Sequence, residues 1–258
     1  MHLIVGGDSV IGKALGNYWE KNNIDFHSST RNLELSSRIK PFIDLDNLDL
    51  TNLDCSYDSV VLCAAMSKLD QCEKHPNRTR EINVINTFKL AQRLSDSGAM
   101  ILFLSTNQVF DGKIPFRKIN DEKKPINEYG NQKSETEDLM ARLEQYSILR
   151  LTKVIYPELP LFRQWFDCLS NSIEIKAFTD MKFSPVDINV VVHMIDDLLI
   201  KRKNGVYHCL CDVDVSYYDY AVNFAQQYGF SKDLVLKDSY KNKNFPFATP
   251  KFTSLSPS

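Results

Sequence analysis

Short apolar runs alternate with longer stretches of helical period over the first 151 residues, and that alternation predicts an α/β protein built on a parallel sheet. Residues 2–5 read as the first strand, followed by a glycine-rich turn and an amphipathic helix through Trp19. Apolar runs at 24–28, 41–45, 59–65, 100–104 and 146–151 predict five more strands. Residues 76–94 place Ile82, Ile85, Phe88, Leu90 and Ala91 in one long helical pattern, and another helix sets in after Pro125. The run 100–104 is unbroken between Gly98 and the hydroxyls of Ser105 and Thr106, as expected of a strand buried on both faces. Its carboxyl end would carry those hydroxyls to the sheet edge where open α/β sheets hold their ligands.

Beyond Tyr156 the pattern changes. Pro157 and Pro160 interrupt the chain, 161–169 reads as a helix carrying Trp165 and Phe166, and 190–200 as another. Residues 206–210 predict a strand. Ser216 is placed to cap a helix from Tyr217, with Asp219 and Tyr220 early in it and Gly229 just past its end at Tyr228. A strand-like 234–236 follows, and no repeat or low-complexity linker divides the chain.

Composition narrows the class. At 258 residues, with 43% apolar and 25% charged side chains, the chain can form one large domain or a core with a small attached lobe. A net charge of −2 gives no reason to expect nucleic acid or an anionic membrane as partner. No apolar run approaches membrane-spanning length and Met1 leads straight into a strand, so a cytoplasmic protein without a signal sequence is expected. The six cysteines, at 55, 63, 72, 168, 209 and 211, form no Cys-x-x-Cys pair, and reduced thiols are expected rather than disulfides or zinc. No histidine pair has metal-ligand spacing, so no metal is expected. His193 reads as a packed helix residue, His208 as a strand residue and His75 as a loop residue. Lys74, Arg78 and Arg80 read as a solvated helix edge, and Tyr217, Tyr218 and Tyr220 as an aromatic packing face.

Two patterns carry candidate chemistry. Four of the nine glycines fall between Gly6 and Gly16, and a strand, a tight glycine turn and a helix N-terminus let backbone N–H groups approach a pyrophosphate. An ordinary strand-to-helix turn would look the same. The strand at 24–28 leads into Ser29, Thr30 and Arg31 with no acidic residue at its end. Unless Arg31 is simply solvated, that suits a ribose 2′-phosphate better than a free 2′-hydroxyl, and favours NADP(H) over NAD(H).

The second pattern is Tyr129 with Lys133, four apart and so on one helix face. An ammonium one turn away would favour the phenolate and bring the phenol, at about 10 when unperturbed, toward neutrality. With 11 tyrosines a chance match is expected, and the chain holds a second, Tyr228 with Lys232. Only the first follows a hydroxyl-tipped strand. Tyr228 reads as a helix end.

Ser105-Thr-Asn-Gln-Val-Phe-Asp-Gly112 followed by Tyr129-Gly-Asn-Gln-Lys133 resembles the active-site region of extended short-chain dehydrogenase/reductases, in the branch of the dTDP-4-dehydrorhamnose reductase-like sugar-nucleotide reductases. The resemblance implies a Rossmann-type doubly wound parallel sheet with a small, interleaved C-terminal substrate lobe. The core would take residues 1–155 and about 184–212, and the lobe about 156–183 and 213–258. Thr106, Tyr129 and Lys133 would be the catalytic trio, with Lys133 also holding the nicotinamide ribose. The cofactor would lie on Gly6, Asp8, Ser9, Val10, Ile11 and Gly12, reach Arg31, and rest its adenine against Asp44 and Leu45. Cys63, Ala64 and Ala65 would let it pass close to the backbone, and Thr152 would stand beside the nicotinamide. Asn107 and Lys153 would face the substrate. Ser9 stands where the family has glycine, and Lys153 where many sugar reductases have tryptophan. Asn83 resembles an asparagine placed near the active site, or else satisfies backbone groups. Residues 248–255 resemble the family's terminal Pro-x-x-(Ser/Thr)-x-Leu segment.

The implied activity is NADPH-dependent reduction of a keto group on a nucleotide-linked (deoxy)sugar. One alternative is a non-catalytic NADP-binding regulatory subunit, like that of methionine adenosyltransferase. Another is an epimerase or dehydratase with a retained NAD, which Arg31 and Asn107 disfavour. The expected partner is the sugar nucleotide, with no nucleic acid and no membrane, and a homodimer is left open.

Overall fold

The computed structural model describes all residues except 52, 54, 55, 210–212, 244 and 258, so the expectations for Cys55, Leu210 and Cys211 lie outside the described residues. Five strands come from the first part of the chain: β1 (His2–Val5), β2 (Phe26–Ser28), β3 (Ser59–Leu62), β4 (Met100–Thr106) and β5 (Tyr146–Leu151). The short strands β6 (Lys153–Ile155), β7 (Ile175–Phe178), β8 (Lys182–Phe183) and β9 (Pro185–Asp187) follow, and then β10 (Gly205–Cys209). The central sheet has the order β10-β5-β4-β3-β1-β2, and every pairing in it is parallel. The order reverses between β1 and β3, which makes their carboxyl ends the switch point where such sheets open a crevice.

Alternation along each strand buries both faces. Leu3, Val60, Ile101, Phe103 and Ile148 point into one apolar layer with Ile82, Leu90 and Leu94. Ile4, Val61, Leu102 and Leu149 point into the other, with Leu15, Trp19, Val191 and Ile195. The first layer covers the sheet with α4 (Thr87–Ser95) and α5 (Glu128–Met140), against which α2 (Leu69–Lys74) and the stretch beginning with α3 (Pro76–Arg80) pack, and the second with α1 (Val10–Lys21) and α7 (Ile188–Ile200). The doubly wound parallel sheet is as the alternation predicts.

Two elements differ from expectation. Residues 41–45 form no strand: a single bridge joins Thr30 to Phe42. Pro41 has no N–H to give a ladder, and Asp44 turns the chain away by accepting the Asp46 N–H at 3.1 Å. The helix expected over 76–94 is interrupted by a π-helical stretch, Glu81–Asn86, between α3 and α4. Thr87 closes that wide turn by donating its hydroxyl to the Ile82 carbonyl at 2.8 Å. Such π turns shift side chains out of helical register, and Asn83 within this one is buried.

The remaining elements are α6 (Pro160–Ser170), β11 (Val215–Ser216), α8 (Tyr217–Gln227) and β12 (Val235–Asp238). Phe162, Trp165, Leu169, Ile175, Phe224 and Val235 form a separate apolar cluster. Tyr217 and Tyr220 pack on Phe183 at 4.5 and 5.1 Å between centroids, the packing face expected of them. Ser216 caps α8, Tyr228 ends it, and Gly229 follows at φ +75°, where glycine avoids the strain of the left-handed region. The C-terminal segment runs back along the loop after β4: Leu255 bridges Arg117, and Phe252 donates its N–H to Gly112 at 3.0 Å. Gly112, at φ +62°, lies so near Pro250 that a Cβ would stand 2.1 Å from it. His193 packs edge-on against Tyr18 at 4.8 Å. Among the described residues no helix is long and apolar enough to cross a membrane, no metal-binding cluster occurs, and Cys63, Cys72, Cys168 and Cys209 are free thiols.

The inward face of α5 is mostly polar: Gln132, Lys133, Thr136 and Glu137 are all buried. Arg150 of β5 grips Glu137 through Nε and Nη2 at 3.0 and 2.8 Å, and Ser105 of β4 donates to the same carboxylate at 2.5 Å. Arg150 also donates to the Ile119 carbonyl at 3.0 Å and lies 3.4 Å from His208 Nε2. Burial pushes His208 down to about 4. Arg150→Met would leave the buried Glu137 carboxylate with Lys123, 3.5 Å away, as its remaining ion-pair partner among the described residues. The expected cost is about 3–5 kcal/mol, read from urea unfolding, and a loss under about 1 kcal/mol would refute the pair's role in holding α5.

Candidate active site

A cavity of about 600 Å³ opens at the switch point. Its floor is the turn from β1 into α1. Gly6 has φ +85° and a Cβ on it would meet the Ala64 backbone at 2.7 Å, while one on Gly12 would meet the Gly6 carbonyl at 2.4 Å. The turn therefore packs against the loop leaving β3 and against itself more closely than any side chain allows. Ser9 explains its own presence: its hydroxyl caps α1 by accepting the Gly12 N–H at 3.1 Å. Val10 and Ile11 line the cavity, and their N–H groups precede any intrahelical acceptor, so the helix presents its positive end there.

The exit of β2 carries more charge than the sequence reading expects. Arg31 is exposed on the cavity wall. The strand end is not free of carboxylate, however, because the neighbouring turn brings Asp8 to it. Asp8 accepts the Thr30 hydroxyl at 2.6 Å and pairs with Lys40 at 3.3 Å, and these partners, the Thr30 bond foremost, hold its carboxyl below the usual range. Lys74, Arg78 and Arg80 form the expected solvated edge and in addition pair with Asp70, Asp46 and Glu135, with Arg78 on the cavity wall. Asp70 lies one turn back on the same helix, whereas Asp46 and Glu135 come from segments remote in sequence.

Tyr129 and Lys133 line the opposite end. Asn127 caps α5 by accepting the Gly130 N–H at 2.8 Å, and its amide donates to Gln108 Oε1 and to the Ala248 carbonyl. Gly130 is required where it stands, since a Cβ would fall 2.3 Å from the Gln108 carbonyl. Lys133 is buried, donates to the Leu104 carbonyl at 2.8 Å and lies 4.3 Å over the Phe103 ring. Burial pushes its ammonium down to about 8, partly opposed by Glu137. The expected lowering of the Tyr129 phenol is not found: burial, with a smaller push from Cys72, raises it. Lys133 commits its Nζ to Leu104 and meets Tyr129 at 5.9 Å from the ring centroid, so desolvation of the phenolate dominates.

The cavity brings together Gly6, Asp8, Ser9, Val10, Ile11, Arg31, Asp44, Leu45, Cys63, Ala64, Ala65, Tyr129 and Lys133. Gly12, Thr106, Asn107, Thr152 and Lys153 are not on its wall, where Leu104, Ser105 and Leu151 stand instead. Thr106 accepts the Gln108 N–H at 3.2 Å and lies 3.4 Å from Asn107 Oδ1. Thr152 is buried and its hydroxyl has no hydrogen-bond partner among the described residues. Lys153 is exposed at the start of β6. Asn83 satisfies backbone groups, those of the cavity wall itself: its carbonyl accepts the Met66 N–H at 2.8 Å and its amide donates to the Met66 carbonyl at 2.9 Å. Met66, Ser67, Lys68 and Ile82 also line the cavity. Their sequence neighbourhood carries no cue beyond the small residues Ala64 and Ala65.

A dinucleotide fits these residues on two grounds. The glycine turn leaves backbone, not side chains, at the floor, and the unpartnered Thr152 hydroxyl sits beside the wall residue Leu151. The model of the RmlD substrate binding domain family matches residues 1–258. The chain belongs to this family. It is an NAD(P)-dependent oxidoreductase of the extended short-chain dehydrogenase/reductase type, in the branch of the dTDP-4-dehydrorhamnose reductases. It is 25% identical over 206 residues to a probable low-salt glycan biosynthesis reductase of Haloferax volcanii, covering 77% of this chain and 69% of that protein. It is 28% identical over 197 residues to a dTDP-4-dehydrorhamnose reductase of Aggregatibacter actinomycetemcomitans, covering 70% and 67%. It is also 28% identical over 162 residues to methionine adenosyltransferase 2 subunit beta of Bos taurus, covering 60% of this chain but 47% of that one. The fold matches a Bacillus anthracis dTDP-4-dehydrorhamnose reductase in complex with NADP at TM-score 0.87 and 22% identity, covering 100% and 90% of the two chains.

Lys133 should register in stability as well as chemistry. Its folded value of about 8 lies below the ordinary 10.5, so between these values the unfolded chain binds more protons and stability rises with pH. Lys133→Met should flatten that rise. Urea midpoints of both proteins across this range check it, and parallel profiles would contradict the shift.

Proposed function

We propose that the chain is an NADPH-dependent reductase of a keto group on a nucleotide-linked deoxysugar. The observation that supports this most is the presence of Tyr129 and Lys133 on the wall of the same cavity as the glycine turn and Arg31. Bound there, the nicotinamide would supply the hydride. Tyr129, with its phenol raised by burial, keeps its proton at neutral pH and can donate it as a general acid. Thr106 would hold the substrate oxygen, Lys133 and Thr152 would hold the nicotinamide end, and Asn107 and Lys153 would contact the sugar nucleotide. Residues 1–155 with about 184–212 would serve the cofactor, and about 156–183 with 213–258 the substrate. The names of the two reductase relatives support a sugar substrate, and Arg31 supports a 2′-phosphate.

A second reading, an NADP-binding regulatory subunit, draws on the likeness to methionine adenosyltransferase 2 subunit beta. It also draws on the way Lys133 is tied to Leu104 rather than to the Tyr129 phenol.

Tyr129→Phe keeps the ring, so NADPH binding should survive while turnover of an accepted keto sugar falls about two to four orders of magnitude. Tyr228→Phe, at the second Tyr-x-x-x-Lys spacing, should stay within about twofold. Single-turnover NADPH oxidation against a panel of nucleotide-linked 4-keto sugars measures both. Wild-type turnover by Tyr129→Phe would reject the mechanism, and tight NADPH binding without turnover of any keto sugar would favour the regulatory reading.

Arg31→Ala should erase most of a preference for NADPH over NADH of roughly ten- to a hundredfold. Titration of each cofactor checks it, and equal wild-type affinities would sink the assignment.

A further inference from the structure

Asp8 is at odds with a 2′-phosphate. A carboxylate at this place in a dinucleotide site favours a free ribose 2′-hydroxyl and repels phosphate, yet Asp8 and Arg31 share the cavity wall. We propose that Lys40 is a specificity-determining residue which, by pairing with Asp8, masks that carboxylate and leaves Arg31 free to accept a 2′-phosphate. The inference rests on the dinucleotide reading of the cavity and deepens it.

The geometry is built rather than incidental. Asp8 is held from two sides, by the Thr30 hydroxyl at 2.6 Å and by Lys40 Nζ at 3.3 Å. It therefore cannot swing clear of the β2 exit without losing both partners. Lys40 is delivered by a tight turn in which Ser37 and Lys40 exchange N–H···O bonds at 2.9 and 3.1 Å. That turn is docked on β2, because Ser28 donates to the Ile39 carbonyl at 3.1 Å and Thr30 to the Pro41 carbonyl at 3.0 Å. The turn just before the segment that fails to become a strand is thus the one that brings Lys40 to Asp8. With Arg31, Lys40 and Asp8 the local charge is +1, and without Lys40 it is zero. An exposed pair of this kind contributes little to folding, so its consequence falls on the charge offered to a ligand.

The test compares ligands that differ in the phosphate: NADPH against NADH by fluorescence titration, and 2′,5′-ADP against 5′-AMP by calorimetry. Lys40→Met should lower the preference for the 2′-phosphorylated ligand about tenfold, while Lys40→Arg should keep it within about threefold of wild type. Asp8→Asn combined with Lys40→Met should restore the preference at least to the wild-type level, since masking is no longer needed. Thermal midpoints should hold across the set. A Lys40→Met preference within about twofold of wild type overturns the proposal, and so does a double variant that fails to recover, because Lys40 would then act on the phosphate directly. A wild type that binds NADPH and 2′,5′-ADP no better than buffer overturns the dinucleotide reading along with it.

Discussion

The buried pair between Glu137 and Arg150 is the contact on which the site depends. It joins α5 to the sheet through charges that are both almost fully buried. A buried charge left without its partner is costly, so a rotation or slip of α5 by one residue is strongly disfavoured. The rest of that helix face behaves alike. Thr136 donates to the Asn83 carbonyl at 3.0 Å, Gln132 to the Thr79 hydroxyl at 2.8 Å, and Lys133 to Leu104. An apolar stripe would tolerate small shifts in register, whereas this set of directed bonds does not. Tyr129 and Lys133 inherit their position from it.

The same polar layer organises the wall facing α5. The π turn in the helix between α2 and β4 turns Asn83 inward, where it binds Met66 and also donates to Gln132 at 2.7 Å. One asparagine thus couples the loop leaving β3 to the helix that carries Tyr129. On the far side, Asn127 ties the start of α5 to Gln108 and to the C-terminal segment. The site is a set of loops clamped to one helix, over a sheet whose apolar layers only fix the height of the strand ends.

Electrostatically the two ends of the cavity differ. Lys133 is buried and Tyr129 half-buried on the cavity wall, and desolvation moves both groups toward their neutral forms. An ammonium brought toward neutrality suits proton transfer, whereas a phenol raised by burial holds its proton more tightly and donates it less readily. At the other end Asp8, Lys40, Asp46 and Arg78 are exposed or half-exposed and joined in two pairs, Asp8 with Lys40 and Asp46 with Arg78, beside the exposed Arg31. Interactions there are screened, and they act on a ligand's charge rather than on the fold.

Apolar periodicity and the glycine turn determined the parallel sheet, the order of its elements and the two ends of α8, because each is set by residues close in sequence. The spacing of Tyr129 and Lys133 likewise placed both on one helix face. Three things were decided only in three dimensions. The segment 41–45 lost its ladder because Pro41 and the Asp44 turn outweigh its apolar pattern. Asp8 came to the end of β2 because the strands β1 and β2 are neighbours, although the residues at that strand end, read alone, show no carboxylate. The Tyr129 phenol moved up rather than down because burial, a property of the whole fold, exceeds the pull of an ammonium already bonded to Leu104. Local pattern settles which element forms, whereas desolvation and long-range pairing settle the protonation and charge of the groups that the elements bring together.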